Sequence, residues 1–181
     1  DTNAYTALIS PYCAERVPAG PGGKNLLRYP YYETTKTING ITFTDNGDGT
    51  ITANGTATET AKFRAKFWDD NSCDAGTYYI SGCPTGGSDS TYCINFAAKH
   101  GDDMLIDTLD YGKGLKIEAP NGIDKLYAYI LISTGMTVTD MTFKLQLELG
   151  TSATSYEEYY DKYEDGNLID NVTLSVYRRE Y

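Results

Sequence analysis

The sequence predicts an all-β protein, an antiparallel β-sandwich with arms at both ends. Three observations carry this. Apolar and polar residues alternate without error over Met141–Leu149. Thr and Gly are frequent, and 17 of the 181 residues are Tyr. Helical 3.6-residue periodicity is almost absent. Branched and aromatic side chains suit a pleated surface, while Gly punctuates turns.

The length suits one domain with a full core and ordered arms. Residues Asp1–Lys24 read as an N-terminal arm. Ala4–Ile9 is a candidate strand there, and Pro11, Pro18, Pro21 and the glycines at 20, 22 and 23 break any longer element. The Pro/Gly run reads as a linker into the main domain. The first residue is Asp1 rather than Met, so a processed or excised piece of a longer chain is expected.

From Asn25 the pattern becomes regular. Ile41 and Phe43, then Ile51 and Ala53, alternate with threonines. Between them lies Asp45-Asn46-Gly47-Asp48-Gly49, which reads as a hairpin turn because Asn and Gly accept positive φ. An EF-hand is the alternative for such Asp residues, but the spacing and the closing Glu are missing. Thr77–Ser81, Thr91–Ala97 and Leu115–Glu118 are further strands, each bounded by turn residues. Lys125–Ile132 is nearly all apolar and reads as a strand covered on both faces.

In Met141–Leu149, Met141, Phe143, Leu145, Leu147 and Leu149 share one face. Thr142, Lys144, Gln146 and Glu148 share the other. A helix would scatter these side chains around its axis, so a strand is the economical reading. Burying each large side chain contributes about 1.5–3 kcal/mol, which fixes the register. The polar face is expected to meet water or a ligand. Beyond Gly150 the chain is polar and aromatic, and Asn171–Tyr177 is a last candidate strand in a C-terminal extension, residues 161–181. Seven or eight evenly spaced strands without helices imply a sandwich.

Net charge is −10, which disfavours nucleic acid and anionic lipid surfaces as partners. No run approaches the roughly 20 apolar residues that span a bilayer, so no membrane insertion by a helix is expected. Cys13, Cys73, Cys83 and Cys93 form no CxxC pair. They read as free, half-buried thiols, with a disulfide from Cys73 to Cys83 or Cys93 as the alternative.

Several phrases, taken in order, resemble a known module. They are Asn25-Leu26-Leu27-Arg28-Tyr29-Pro30-Tyr31-Tyr32, Asn39-Gly40-Ile41-Thr42-Phe43-Thr44-Asp45-Asn46-Gly47-Asp48-Gly49-Thr50-Ile51-Thr52 and Asn54-Gly55-Thr56-Ala57-Thr58. Ala75-Gly76-Thr77-Tyr78-Tyr79-Ile80-Ser81-Gly82-Cys83-Pro84 and Leu147-Glu148-Leu149-Gly150-Thr151-Ser152-Ala153-Thr154-Ser155-Tyr156-Glu157 follow. The set resembles a jelly-roll module of tail, baseplate and fibre proteins from bacteriophages and prophages of gut Firmicutes. It covers residues 25–160. The resemblance implies a galactose-binding-like, carbohydrate-binding fold and a virion structural or host-attachment role. It also implies a tail-associated or extracellular location, other virion proteins as partners and a homo-oligomer. The family's usual Tyr-Glu-Pro-Tyr ending is Tyr156-Glu157-Glu158-Tyr159 here.

No catalytic constellation is legible. His100 is the only histidine, and it lies in a Gly-flanked loop with no nucleophile motif beside it. The adjacent acidic pairs at 69–70, 102–103 and 157–158 read as solvated charge, because neighbours on an extended chain point apart. A non-catalytic binding role is therefore expected, with bacterial surface glycan as ligand. A flat aromatic beside hydrogen-bonding side chains suits a sugar. Trp68 with Asp69, Asp70 and Asn71 is the first candidate, and Tyr31, Tyr32 and Tyr92 are the others. Each also reads as a packing residue. Asp69, Asp70 and Asp74 are candidate calcium ligands, and no other cofactor is expected. Tyr156, Tyr159, Tyr160 and Tyr163 read as an interface. The competing roles are a purely structural virion module and an accessory module of a secreted bacterial enzyme or adhesin.

Overall fold

The computed structural model describes residues 18–21, 23–31, 33–66 and 74–163. Two units separate: residues 1–22 with 161–181, and residues 23–160. In the first, β1 (Pro18–Pro21) pairs antiparallel with β13 (Asp161–Tyr163). The run expected to be a plain linker thus holds a short strand. The candidate strands Ala4–Ile9 and Asn171–Tyr177 lie outside the described residues.

Residues 23–160 hold eleven strands, β2 to β12, in three antiparallel sheets, and the described residues contain no helix. They are β2 (Lys36–Ile38), β3 (Ile41–Asp45), β4 (Ile51–Thr56), β5 (Ala61–Lys66), β6 (Gly76–Ser81) and β7 (Tyr92–His100). β8 (Asp103–Leu109), β9 (Leu115–Ala119), β10 (Lys125–Ile132), β11 (Thr137–Phe143) and β12 (Gln146–Leu149) complete the set. One sheet has the order β5-β10-β7-β8, a second β11-β4-β3-β2 and a third β12-β6-β9. The four-stranded sheet around β10 contributes Phe63, Ile94, Phe96, Ala128 and Ile130 to one continuous core. The other two contribute Ile41, Phe43, Ile51, Phe143, Ile80, Ile117 and Leu147 to the same core. Phe43 meets Phe63 at 5.1 Å and Tyr92 meets Phe143 at 6.1 Å, which ties the layers of the sandwich together.

The β3–β4 hairpin forms as its alternation predicts, with Ile41, Phe43, Ile51 and Ala53 fully buried. Its turn is closed by Asp side chains: Gly47 N donates to Asp45 Oδ1, and Thr50 N donates to Asp48 Oδ1. These carboxylates serve the turn. β2, β5 and β8, with the division of Met141–Leu149 between β11 and β12, bring the strand number above the seven or eight expected.

Two strand readings need correction. The segment Met141–Leu149 is not one strand. Phe143 pairs with Ile51 in one sheet, whereas Gln146 pairs with Ser81 in another. Lys144 and Leu145 carry the chain between sheets, and Lys144 N donates to Gly82 O at 3.0 Å. Gly82 has φ 112°, and a Cβ there would fall on the Lys144 carbonyl, so the crossing needs glycine. Side-chain parity survives as far as Leu147, but Leu149 is 68% exposed, not core. The expected polar face is also different. Gln146 and Glu148 are buried at 1% and 3% exposure. The second correction concerns β10. Leu126, Ala128, Ile130 and Ile132 are buried, but Tyr127, Tyr129 and Leu131 on the other face are only half-buried.

Candidate functional site

The half-covered face of β10 is the best candidate site among the described residues. Register decides its membership, because directly opposed residues on neighbouring strands point the same way. Tyr129 stands opposite Arg64 of β5 and Asn95 of β7, and Asn95 stands opposite Leu109 of β8. Tyr127 stands opposite Ala97, which stands opposite Asp107. Leu131 stands between Lys62 and Cys93. These residues thus lie on one side of the four-stranded sheet, where Cys93, Asn95 and Ala97 of β7 are buried and Tyr127, Tyr129 and Leu131 of β10 are half-buried.

Tyr127 and Tyr129 stack, with ring centroids 6.1 Å apart and planes inclined by 17°. Lys62 Nζ lies 3.9 Å from the Tyr129 ring centre, a cation–π contact. Asn95 is buried between them and β8, and its Nδ2 donates to Asp107 Oδ1 at 2.8 Å and to Thr108 O at 3.0 Å. Burial pushes the Tyr129 hydroxyl pKa up, and the nearby Arg64 guanidinium opposes it. Tyr129 is therefore a neutral phenol at physiological pH, able to donate and accept. Arg64 is set at the sheet edge, where its amide donates to Glu33 Oε2 at 2.8 Å. The surface combines two stacked, near-parallel rings with a hydroxyl, a guanidinium, an ammonium and a carboxylate. It can grip a ligand with one apolar face and a hydroxylated rim.

The residues singled out in the sequence are placed elsewhere. Trp68, Asp69, Asp70, Asn71 and Tyr32 lie outside the described residues, as do Cys13 and Cys73. Tyr31 is buried and donates to Gly49 O at 2.9 Å, so it is a packing residue. Tyr92 is buried too, donating to Thr85 O at 2.7 Å with its ring against Phe143. Neither presents a ring to a ligand. Asp74 is exposed, its carbonyl accepting from Tyr78 Oη. Of the interface candidates, Tyr159 is buried and Tyr156 donates to Asp48 O at 2.9 Å. Tyr160 is 55% exposed, and Tyr163 ends β13. Cys83 and Cys93 are free thiols, both pushed up by burial, Cys93 to about 11. His100 ends β7 rather than lying in a loop, with Nδ1 3.5 Å from Asp124 Oδ2.

Gln146 and Glu148 form no groove. Glu148 Oε1 accepts from Gln146 Nε2 at 2.8 Å and Thr154 N at 2.9 Å, and Oε2 accepts from Thr154 Oγ1 at 2.6 Å. Gln146 Oε1 accepts from Glu157 N at 2.7 Å. The following segment folds back and covers them. Burial raises the Glu148 carboxyl, but the Thr154 hydroxyl and amide and the Gln146 amide outweigh it and hold the pKa below the ordinary value.

No family model, curated protein or solved structure matches this chain.

Proposed function

We propose that residues 23–160 form a non-catalytic, jelly-roll carbohydrate-binding module. In this reading it belongs to a phage tail, baseplate or fibre protein and attaches to bacterial surface glycan. The observation that carries the binding role is the stacked pair Tyr127–Tyr129 on a half-covered strand face, flanked by Lys62, Arg64, Asn95 and Asp107. A pyranose ring has apolar CH faces that lie against such rings, and hydroxyls that meet the flanking polar groups. The sites sit on strands, so little ordering is lost on binding. The ordered sequence phrases support the virion context. Affinity electrophoresis in gels holding cell-wall polysaccharide tests this. Retardation of the wild type should be lost in Tyr127→Ala and Tyr129→Ala. Loss in Trp68→Ala with retention in both Tyr variants would move the site to residues 68–71.

A second reading, a virion assembly module, is favoured by the edge strand β8. Met104 is 50% exposed and Leu105 40% exposed there. Asp103 and Asp107 flank them, as charges do on edges that resist indiscriminate pairing. Light scattering tests this reading: a homo-oligomer that dissociates in Leu105→Lys supports it.

A further inference from the structure

We infer that the ligand of the β10 face is an anionic saccharide, one carrying carboxylate or phosphate groups. This rests on the glycan-binding reading above and adds the charge class. The chain has 25 acidic and 15 basic residues, yet the face reverses that balance. Lys62, Arg64, Lys99 and Lys125 point to it, against Asp107 alone from the four strands. Asp107 is partly engaged by the Asn95 amide at 2.8 Å. Glu33 stands at the β5 edge, where its carboxylate is held by Arg64 N and Lys36 Nζ.

A second observation is independent of the count. Lys99 and Lys125 stand directly opposite each other on β7 and β10. Like charges so placed are destabilising. Lys125 Nζ turns aside to Gly101 O at 2.9 Å, which leaves the pair without a carboxylate between them. Asp124 sits next in sequence, but it turns its Oδ2 to Gly101 N and His100, and its Oδ1 is buried without a hydrogen-bond partner, so neither oxygen bonds a lysine. An anion over the row Lys125–Lys99 would relieve that repulsion. Lys62 stands two rows further along β5 and β10 than Tyr127, so cations lie at both ends of the stacked tyrosines. A polymer with one negative charge per repeat fits such a run: its rings lie on Tyr127 and Tyr129, and its anions meet the lysines.

The test uses isothermal titration of the chain with three probes. They are polygalacturonate, its carboxyl-reduced neutral galactan, and poly(glycerol phosphate). Polygalacturonate is expected to bind more tightly than the neutral polymer. Its affinity should fall about tenfold in Lys62→Gln/Lys99→Gln, the size expected for two exposed ion pairs. It should also weaken between about 50 mM and 300 mM salt as screening shortens. Poly(glycerol phosphate) separates the anion sources: tighter binding of it assigns phosphate, and tighter binding of polygalacturonate assigns carboxylate. Equal affinity for the charged and neutral galacturonan backbones, lost in Tyr129→Ala, would overturn the anionic inference and leave the glycan face standing. Binding of none of the three would overturn the inference together with the glycan reading. Circular dichroism of the lysine double variant should match the wild type, because both side chains are on the outer face.

Discussion

Two outward strand faces of this domain carry polar side chains, and they serve opposite ends. Gln146 and Glu148 on β12 are buried, with their hydrogen bonds closed by Thr154 and Glu157 of the same chain. Tyr127 and Tyr129 on β10 stay half-exposed, with Lys62 over the Tyr129 ring and no following segment of the chain closing their polar partners. The β12 residues alternate in polarity, and the β10 residues alternate in burial. The difference lies in what the chain does next. After β12 it folds back across the strand, whereas after β10 it leaves to start β11. A polar strand face is thus a seam or a site depending on the path of a neighbouring segment.

The largest effect is expected at the crossing that delivers β12 to its sheet. Gly82→Ala forces a side chain onto the Lys144 carbonyl at a positive φ. It should cost at least about 3 kcal/mol in urea denaturation. A loss under about 1 kcal/mol would mean that the crossing adapts, and the seam would not depend on it. Next, Glu148→Ala leaves the buried Gln146 amide and the Thr154 donors without their acceptor. About 2–4 kcal/mol of stability should go, with glycan retardation by the folded fraction unchanged.

Tyr129→Ala should reverse that pattern. It removes a half-buried ring and one cation–π contact, costing about 1 kcal/mol of stability, while glycan binding disappears. A variant that is badly destabilised but still binds would invert the assignment of the two faces.

The smallest effects concern pH and sharpen the seam. Glu148 is held below the ordinary 4.5 in the folded chain. Its contribution is therefore present above that value and is lost as pH falls through the lower folded one. Stability measured down to about pH 3 should decline less steeply in Glu148→Gln. Asp110 has the opposite sign. Its Oδ1 accepts from Ile94 N and Gly112 N, but its buried Oδ2 has no partner, and burial raises its pKa above 3.8. Its favourable state is full below that value and is lost as pH rises through the raised one. Asp110→Asn keeps the Oδ1 bonds, so it should flatten this limb and stay within about 1 kcal/mol of the wild type at neutral pH.

Much of the fold was legible because local pattern and tertiary pairing agree. The Asp45–Gly49 turn and its flanking strands follow from alternation and turn chemistry, and the bounds of Lys125–Ile132 follow from its apolar run, although only one of its faces is fully buried. The break at Lys144–Leu145 was not legible. The chain changes sheets there without changing parity before Leu147, so the pattern runs on across it. β8 was missed because an edge strand needs no alternation, and Met104 and Leu105 are both exposed. β5 did carry a signal, since Ala61, Phe63 and Ala65 alternate with Lys62, Arg64 and Lys66. The site was harder. Arg64, Asn95 and Tyr129 lie on three different strands and meet only through register. No spacing along the chain announces such a meeting. Tyr31 and Tyr92 misled because a tyrosine whose hydroxyl finds a buried carbonyl reads the same in sequence as one awaiting a ligand.

The odd–even division within β10 separates two selective pressures along eight consecutive residues. Exchanges at 126, 128, 130 and 132 are felt by the core, but those at 127, 129 and 131 are felt mainly by whatever lies outside. Exchanges at the outer positions can therefore change that face while the core positions stay constant. A library randomised at positions 62, 64, 127 and 129 would yield new specificities on an unchanged framework.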